Sequence, residues 1–293
     1  MNFQPPDLPP FEVLFDSSEA NPVLPQNLLG FVGNIGFPAA PPDRPWVFSN
    51  FVQSLDGLVS FGGDKPGGEW ISQSRHDRWM MDLLRAHADA LICGSNSLRL
   101  ETQYGKIPGG PVFRIVDAEL LRLRHEILGR KKLKNIVVTG AGDLAVRDYR
   151  LFRSEHVDAL IVTSPNGALR LRDTAGVPVL ATGVDGNVDF GALLRQLRSE
   201  YGIEYLLCEG GPHLYGSMAR QNLIDEKFIT ISPQETGAEP PRKQNVPATP
   251  PTRPTGFLGP GLTIESARWY RWISCRRAGD HEFNRYRFSP RQS

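Results

Sequence analysis

Short aliphatic runs that stop abruptly at a turn recur along this chain. ADALICG ends at Gly94, NIVVTG at Gly140, DALIVTS at Ser164, VPVLATG at Gly183 and IEYLLCEGG at Gly211. Such runs, rich in β-branched and aliphatic residues and bounded by turn formers, read as buried strands. Helical patterns lie between them. Ser74 with Asp77 three residues on precedes apolar positions at Trp79, Met80, Leu83, Leu84 and Ala88. VDFGALLRQLRSEYG is amphipathic and ends at Gly202, and HLYGSMARQNL follows the glycines after Cys208. PWVFSNFVQ and EKFITISP add two more strands, and LTIESARWYRWI with HEFNRYRFSP closes the chain as an alternating hairpin. Strands alternating with helices, then an antiparallel pair, predict a mixed α/β fold with a mostly parallel central sheet and a C-terminal antiparallel hairpin.

The remaining segments divide the chain. Nine prolines within residues 1–43 predict an extended arm packed on the surface, ahead of a single domain over 44–293. A second proline-rich stretch, 234–260, lies inside that domain and reads as a lid, a dimer arm or an insertion. Residues 98–133 are charged and irregular, with one short helical pattern at AELLRLRHEIL. With 293 residues and 40% hydrophobic content the chain can bury a sizeable core.

Composition excludes several classes. A net charge of +1 advertises neither nucleic acid nor a membrane surface. The N-terminus lacks the basic and apolar regions of a secretory signal, and no apolar run approaches spanning length. Cys93, Cys208 and Cys275 are far apart, with no CxxC and no zinc spacing, which predicts a cytoplasmic setting and no metal, and Cys93 and Cys208 lie in apolar runs that predict buried thiols.

Two glycine motifs compete for a ligand. In CEGGPHLYGSM, Gly210 and Gly211 join a strand to a helix opened by Pro212, which is either a tight turn or an anion site at a helix N-terminus. His213, in the first turn behind them, could reach an anion. TGAGDLA, residues 139–145, matches G-x-G-x-x-A after a strand, but the charged segment AVRDYRLFRSEH is a poor crossover helix, so a plain turn is favoured. No lysine completes a Walker motif, no H-E-x-x-H occurs, and Ser54, Ser95, Ser97 and Ser217 lack a nucleophile elbow.

Three collinear blocks carry a resemblance. RPWVFSNFVQSLDGLVS, EWISQSRHDRWMMDLLRAHADALICGSNSL and IEYLLCEGGPHLYGSMARQNLIDEKFITISP resemble the pyrimidine reductase of riboflavin biosynthesis, the C-terminal half of the bifunctional deaminase-reductase. The resemblance covers about residues 44–290 and implies a three-layer fold like that of dihydrofolate reductase. It implies NADPH as hydride donor and, as the phosphorylated small-molecule substrate, 5-amino-6-(5-phosphoribosylamino)uracil, reduced at the ribosyl group. A homodimer is also implied. The deaminase motifs H-x-E and P-C-x-x-C are absent, so the chain resembles a reductase alone.

On the cofactor side the resemblance implies Gly94, Ser95, Ser97, Thr139, Gly140, Gly210, Gly211, His213 and Leu214. On the substrate side it implies Asn50, Asp56, Trp70, Arg85 and Glu209, with Arg85 pairing with the substrate phosphate and Glu209 accepting from the pyrimidine edge. Asp56 and Glu209 are the candidate catalytic groups by position. Arg85 capping its helix and Asp56 closing a turn are the purely structural alternatives. One departure weakens the substrate assignment: Leu100-Glu101-Thr102-Gln103 stands where the family often reads Ala-Asp-Asp-Pro. Reduction of another pteridine-like substrate such as dihydrofolate, or non-catalytic NADPH binding, are the rival readings.

Overall fold

The computed structural model describes residues 2–61, 65, 68–105, 107–235, 237, 255–256 and 267–289. The strands are β1 (Glu12–Asp16), β2 (Trp46–Gln53), β3 (Leu58–Ser60), β4 (Ala90–Gly94), β5 (Lys134–Thr139), β6 (Asp158–Thr163), β7 (Val179–Ala181), β8 (Tyr205–Cys208), β9 (Glu226–Ile231), β10 (Thr255–Gly256), β11 (Tyr270–Ala278) and β12 (His281–Phe288). The helices are α1 (Gln26–Val32), α2 (Glu69–Ser72), α3 (Arg75–His87), α4 (Ser95–Tyr104), α5 (Ala118–Glu126), α6 (Pro165–Leu171), α7 (Phe190–Ser199) and α8 (Pro212–Arg220).

Among the described residues one sheet runs in the order β1-β11-β12-β9-β2-β8-β4-β5-β6-β7. From β9 to β7 every pairing is parallel, and β12, β11 and β1 add antiparallel neighbours at the other side. The predicted fold class therefore holds. The period-2 alternation of each strand feeds two cores. Leu91 and Cys93 of β4 join Leu83, Leu84 and Leu120 on the α3–α5 face, whereas Ala90 and Ile92 join Leu193, Leu197 and Met218 on the α7–α8 face. No helix among the described residues is long and apolar enough to cross a membrane.

The N-terminal segment goes deeper than a surface arm. Its β1 pairs with β11 at the sheet edge, and Phe3, Leu28, Val32 and Ile35 are fully buried. Phe11 packs edge-on against Phe31 and Phe283, with ring centroids 5.5 and 5.0 Å apart. The buried Arg276 of β11 donates to the Val32 carbonyl (2.5 Å), the Asn34 carbonyl (2.6 Å) and Asp16 Oδ2 (3.0 Å). Proline count signalled extended backbone but said nothing of the phenylalanines between the prolines, which decide where the segment goes.

Two further differences bear on the site. The stretch read as irregular after residue 98 begins as helix, because α4 continues from β4 through Tyr104. TGAGDLA is a packed turn: Gly142 has φ +67°, and a Cβ there would collide with the Gly167 carbonyl. Short 3₁₀ turns at Val146–Asp148 and Arg150–Arg153 follow it in place of a crossover helix. The 234–260 stretch and the glycine-rich loop after Phe61 lie mostly outside the described residues.

Candidate active site

Strands β4 and β8 are parallel neighbours, so the helices that follow them start side by side at one edge of the sheet. Among the described residues, four of the other six helices carry a side-chain cap, α1 and α2 being the exceptions. Ser74, Asp117, Ser164 and Asp189 accept from backbone N–H groups at the starts of α3, α5, α6 and α7. Helices α4 and α8 begin instead at Gly94 and Gly211, and neither has a side-chain cap. Their first-turn N–H groups and the positive ends of both helices thus face one place, where negative charge is favoured. Ser97 Oγ ties the two starts together by accepting from Gly211 N at 3.1 Å.

The glycines divide their tasks. A Cβ on Gly210 would lie 2.8 Å from Cys93 Cα and collide with the Leu214 side chain, so this glycine is demanded by the packing of the β8–α8 turn on β4. A Cβ on Gly211 would sit 2.9 Å from Ser97 Oγ. At Gly94 the nearest atom would be 3.9 Å away, which leaves the start of α4 open. Two uncapped helix starts with bare backbone between them form a cradle suited to a pyrophosphate, so the residues present fit a dinucleotide.

This cradle opens into a cleft of about 1950 Å³. Asn50 on β2, Trp70 on α2, Arg85 on α3 and Glu209 after β8 reach it, together with Gly94, Ser97, Gly211, His213 and Leu214. These nine come from five separate stretches of chain and converge because β2, β8 and β4 are consecutive in the sheet.

Five expected residues do not line the cleft. Ser95 opens α4 outside the lining, and Gly210 is buried beneath it. Thr139 is buried at the end of β5, where its carbonyl accepts from Thr163 Oγ1 (2.6 Å), and the Gly140 carbonyl accepts from Ser164 Oγ (2.7 Å). Asp56 sits in the turn between β2 and β3, accepting from the Ser54 hydroxyl (2.5 Å) and from Gly237 N (2.7 Å). A turn-closing role accounts for the Ser54 bond, and the Gly237 bond ties this turn to the segment after β9.

The substrate-side charges are paired with each other. Arg85 Nε donates to Glu209 Oε1 at 2.9 Å and Nη2 donates to Oε2 at 2.6 Å, while Nη1 donates to the Arg114 carbonyl at 2.8 Å. Burial works against the Arg85 cation, but Glu209 and Asp82 more than offset it and hold the guanidinium above its ordinary range. Asp82, one helical turn earlier, accepts from Val116 N (2.8 Å) and Asp117 N (3.0 Å). Burial pushes its carboxyl above the ordinary range, against those donors and Arg85. Three of the five Arg85 N–H donors are thus spent inside the protein, and its Nε–Nη2 edge holds the Glu209 carboxylate in one orientation at the cleft wall.

Glu101 is the group whose role the sequence left unread. It lies on α4 one turn beyond Ser97, an i, i+4 spacing that puts both on one face, and it lines the cleft. Burial, then the nearby Glu209 carboxylate, pushes its carboxyl up to about 7, with Arg85 opposing. The helical spacing from Ser97 was the available signal, hidden because α4 was not recognised.

A family model described as RibD C-terminal domain matches residues 45–251. The 2,5-diamino-6-ribosylamino-4(3H)-pyrimidinone 5′-phosphate reductase of Archaeoglobus fulgidus is 27% identical over 190 residues, 65% of this chain and 81% of the relative. Among solved structures, RibD of Acinetobacter baumannii superposes with a TM-score of 0.60 at 17% identity, covering 84% of this chain and 59% of that one. This chain thus spans little more than half the length of that RibD. The riboflavin biosynthesis reductase Rib7 of Saccharomyces cerevisiae superposes with a TM-score of 0.59 at 16% identity, covering 90% of this chain and 99% of that one.

Proposed function

The chain belongs to the RibD C-terminal domain family, and from that premise we propose that it is an NADPH-dependent reductase of a ribosylaminopyrimidine 5′-phosphate in riboflavin biosynthesis. The substrate is 5-amino-6-(5-phosphoribosylamino)uracil or the 2,5-diamino pyrimidinone named for the archaeal relative. The observation that carries this reading is the pairing of an uncapped double helix start, at Gly94 and Gly211, with the Arg85-held Glu209 carboxylate in one cleft.

In this reading the N–H groups at the starts of α4 and α8 hold the pyrophosphate, and Ser97 keeps the two starts in register. NADPH, when bound, supplies the hydride for C1′ of the ribosyl group. Glu209 accepts hydrogen bonds from the pyrimidine edge, and Arg85 keeps its two oxygens aimed there. Trp70 and Asn50 flank the substrate, and Trp70 also helps exclude water. The 5′-phosphate falls to exposed cations at the cleft, for which Arg78 and Arg114 are placed.

The test is NADPH oxidation with both pyrimidine phosphates, with a dephosphorylated pyrimidine and with dihydrofolate. Turnover confined to a pyrimidine phosphate, together with a rise in Tm on adding NADPH, supports the reading. Preference for dihydrofolate, or no NADPH-dependent shift, refutes it.

A further inference from the structure

The first residues of the chain reach the cleft. Pro6 and Leu8 are half-buried and line it, although both lie outside the residues matched by the family model. The run Pro5-Pro6-Asp7-Leu8-Pro9-Pro10 is stiff. Its prolines fix φ and remove N–H donors, and Leu8 N donates to the Pro6 carbonyl (2.7 Å) to close a three-residue turn. Both ends of the run are fastened. Upstream, the Arg122 guanidinium donates to the Asn2 carbonyl (2.8 Å) and lies over the ring of the buried Phe3, 4.2 Å from its centroid, while Gln4 N donates to Glu119 Oε2 (2.9 Å). Downstream, His76 Nε2 donates to the Pro9 carbonyl (2.8 Å), and Phe11 packs edge-on against the His76 ring (5.0 Å). Glu119 is in the first turn of α5 and His76 in the first turn of α3, so the run bridges the starts of these two helices.

The bridge borders the cationic end of the cleft. Arg75, Arg78, Asp82 and Arg85 line the cleft from α3, and their i, i+3 and i, i+4 spacings make one row. The row begins beside His76, where the bridge is anchored, and ends at the Arg85–Glu209 pair. Asp82 accepts from Val116 N and Asp117 N, which brings the extended segment ahead of α5, and Arg114 with it, alongside the same row. Arg75, Arg78 and Arg114 are exposed, and among the described residues their side chains make no hydrogen bond or ion pair. With the pyrimidine at Glu209, the ribosyl phosphate runs along the row toward these cations. Guanidinium pairs in open water are weak, because solvent screens them. Pro6 and Leu8, with Trp79 and Val116, put apolar surface in the cleft beside them and displace water from one side. A phosphate in such a corner is held more strongly.

We propose, resting on the reductase reading above, that Pro6 and Leu8 are specificity-determining residues of the substrate site. They wall the end of the cleft that takes the 5′-phosphate, so that Arg78 and Arg114 recognise a phosphomonoester with water excluded from one side. A segment outside the family match thus takes part in selecting a phosphorylated substrate.

Charge placed on this wall reads the phosphate directly. Leu8→Glu, Leu8→Lys and Leu8→Gln, each made in the full chain, all replace the apolar side chain with a longer polar one and differ in charge. With a pyrimidine phosphate as substrate, KM should be at least about tenfold higher for Leu8→Glu than for Leu8→Lys, with Leu8→Gln between them. The gap should narrow at high salt. Neither kcat nor NADPH affinity should separate the three, whereas loss of packing alone would move all three alike. If the Leu8 variants do not fold, Pro6→Glu, Pro6→Lys and Pro6→Gln test the same wall. Equal KM values for the Glu and Lys variants, or a change in kcat in place of KM, overturns the assignment and leaves the reductase reading in place. No turnover of either pyrimidine phosphate by wild type overturns both.

Discussion

Replacing Arg85 with Met keeps most of the side-chain volume and removes the cation. Three acceptors then lose their donor at once: both oxygens of Glu209, bonded at 2.9 and 2.6 Å, and the Arg114 carbonyl at 2.8 Å. Asp82 Oδ1, 3.8 Å from Nη1, also loses its nearest counter-charge. The Glu209 and Asp82 side chains are only 10% and 3% exposed, so water cannot replace what is lost. Stranding a buried charge typically costs about 3–5 kcal/mol. For a chain of this size, at roughly 2–4 °C per kcal/mol, Tm should fall by about 10 °C. Glu209→Gln alone should cost less, because the amide oxygen still accepts one bond. The double substitution Arg85→Met/Glu209→Gln should be more stable than the sum of the two losses, since the stranded carboxylate is gone. Urea and thermal unfolding of the four proteins measures this. A loss under about 1 kcal/mol for Arg85→Met, or strict additivity, would refute the claim that the pair is a coupled buried unit.

Other outcomes follow from the same geometry. Gly94→Ala should leave Tm within about 1 °C, because its Cβ enters open space, yet weaken NADPH binding measured by fluorescence titration. Gly210→Ala should lower Tm by several degrees through its clash with Cys93 and Leu214. Glu101→Gln should be more stable than wild type above about pH 7 by on the order of 2 kcal/mol. The carboxyl is raised in the folded state, so the advantage should shrink as pH falls and vanish below the unfolded value near 4.5. His87 is buried and held down to about 4, chiefly by desolvation, with Nδ1 against the Leu83 carbonyl at 2.9 Å. Wild-type stability should therefore decline between about pH 6.5 and about 4, and His87→Leu should flatten that part of a pH-dependent unfolding curve.

Much of the sheet was legible because its signals are local. The runs ending at Gly94, Gly140, Ser164 and Gly211 became β4, β5, β6 and the β8 turn, and Ser74 capped α3 by accepting from Asp77 N at 3.3 Å. The hairpin of β11 and β12 was visible from alternation alone. Helix α4 was not, because Ser-Asn-Ser is a poor helix start by propensity and its N-terminus has no cap to mark it. The absent cap is also what makes it a site, so the local signal failed where the chain is fitted to a ligand rather than to itself. Pairing was equally hidden. Nothing in the sequence says that Arg85 spends its donors on Glu209, 124 residues away, because the contact exists only once β8 lies beside β4 and under α3.

The route of the first 43 residues has a practical consequence. The family-model match begins at residue 45, yet β11 relies on β1 for an edge partner, and Arg276 relies on Asp16, Val32 and Asn34 for its bonds. A fragment started at that boundary would present a bare strand edge flanked by Trp272 and would strip Arg276 of most of its acceptors and of the residues that cover it. Such a fragment should express as aggregates even though it loses only Pro6 and Leu8 of the cleft lining.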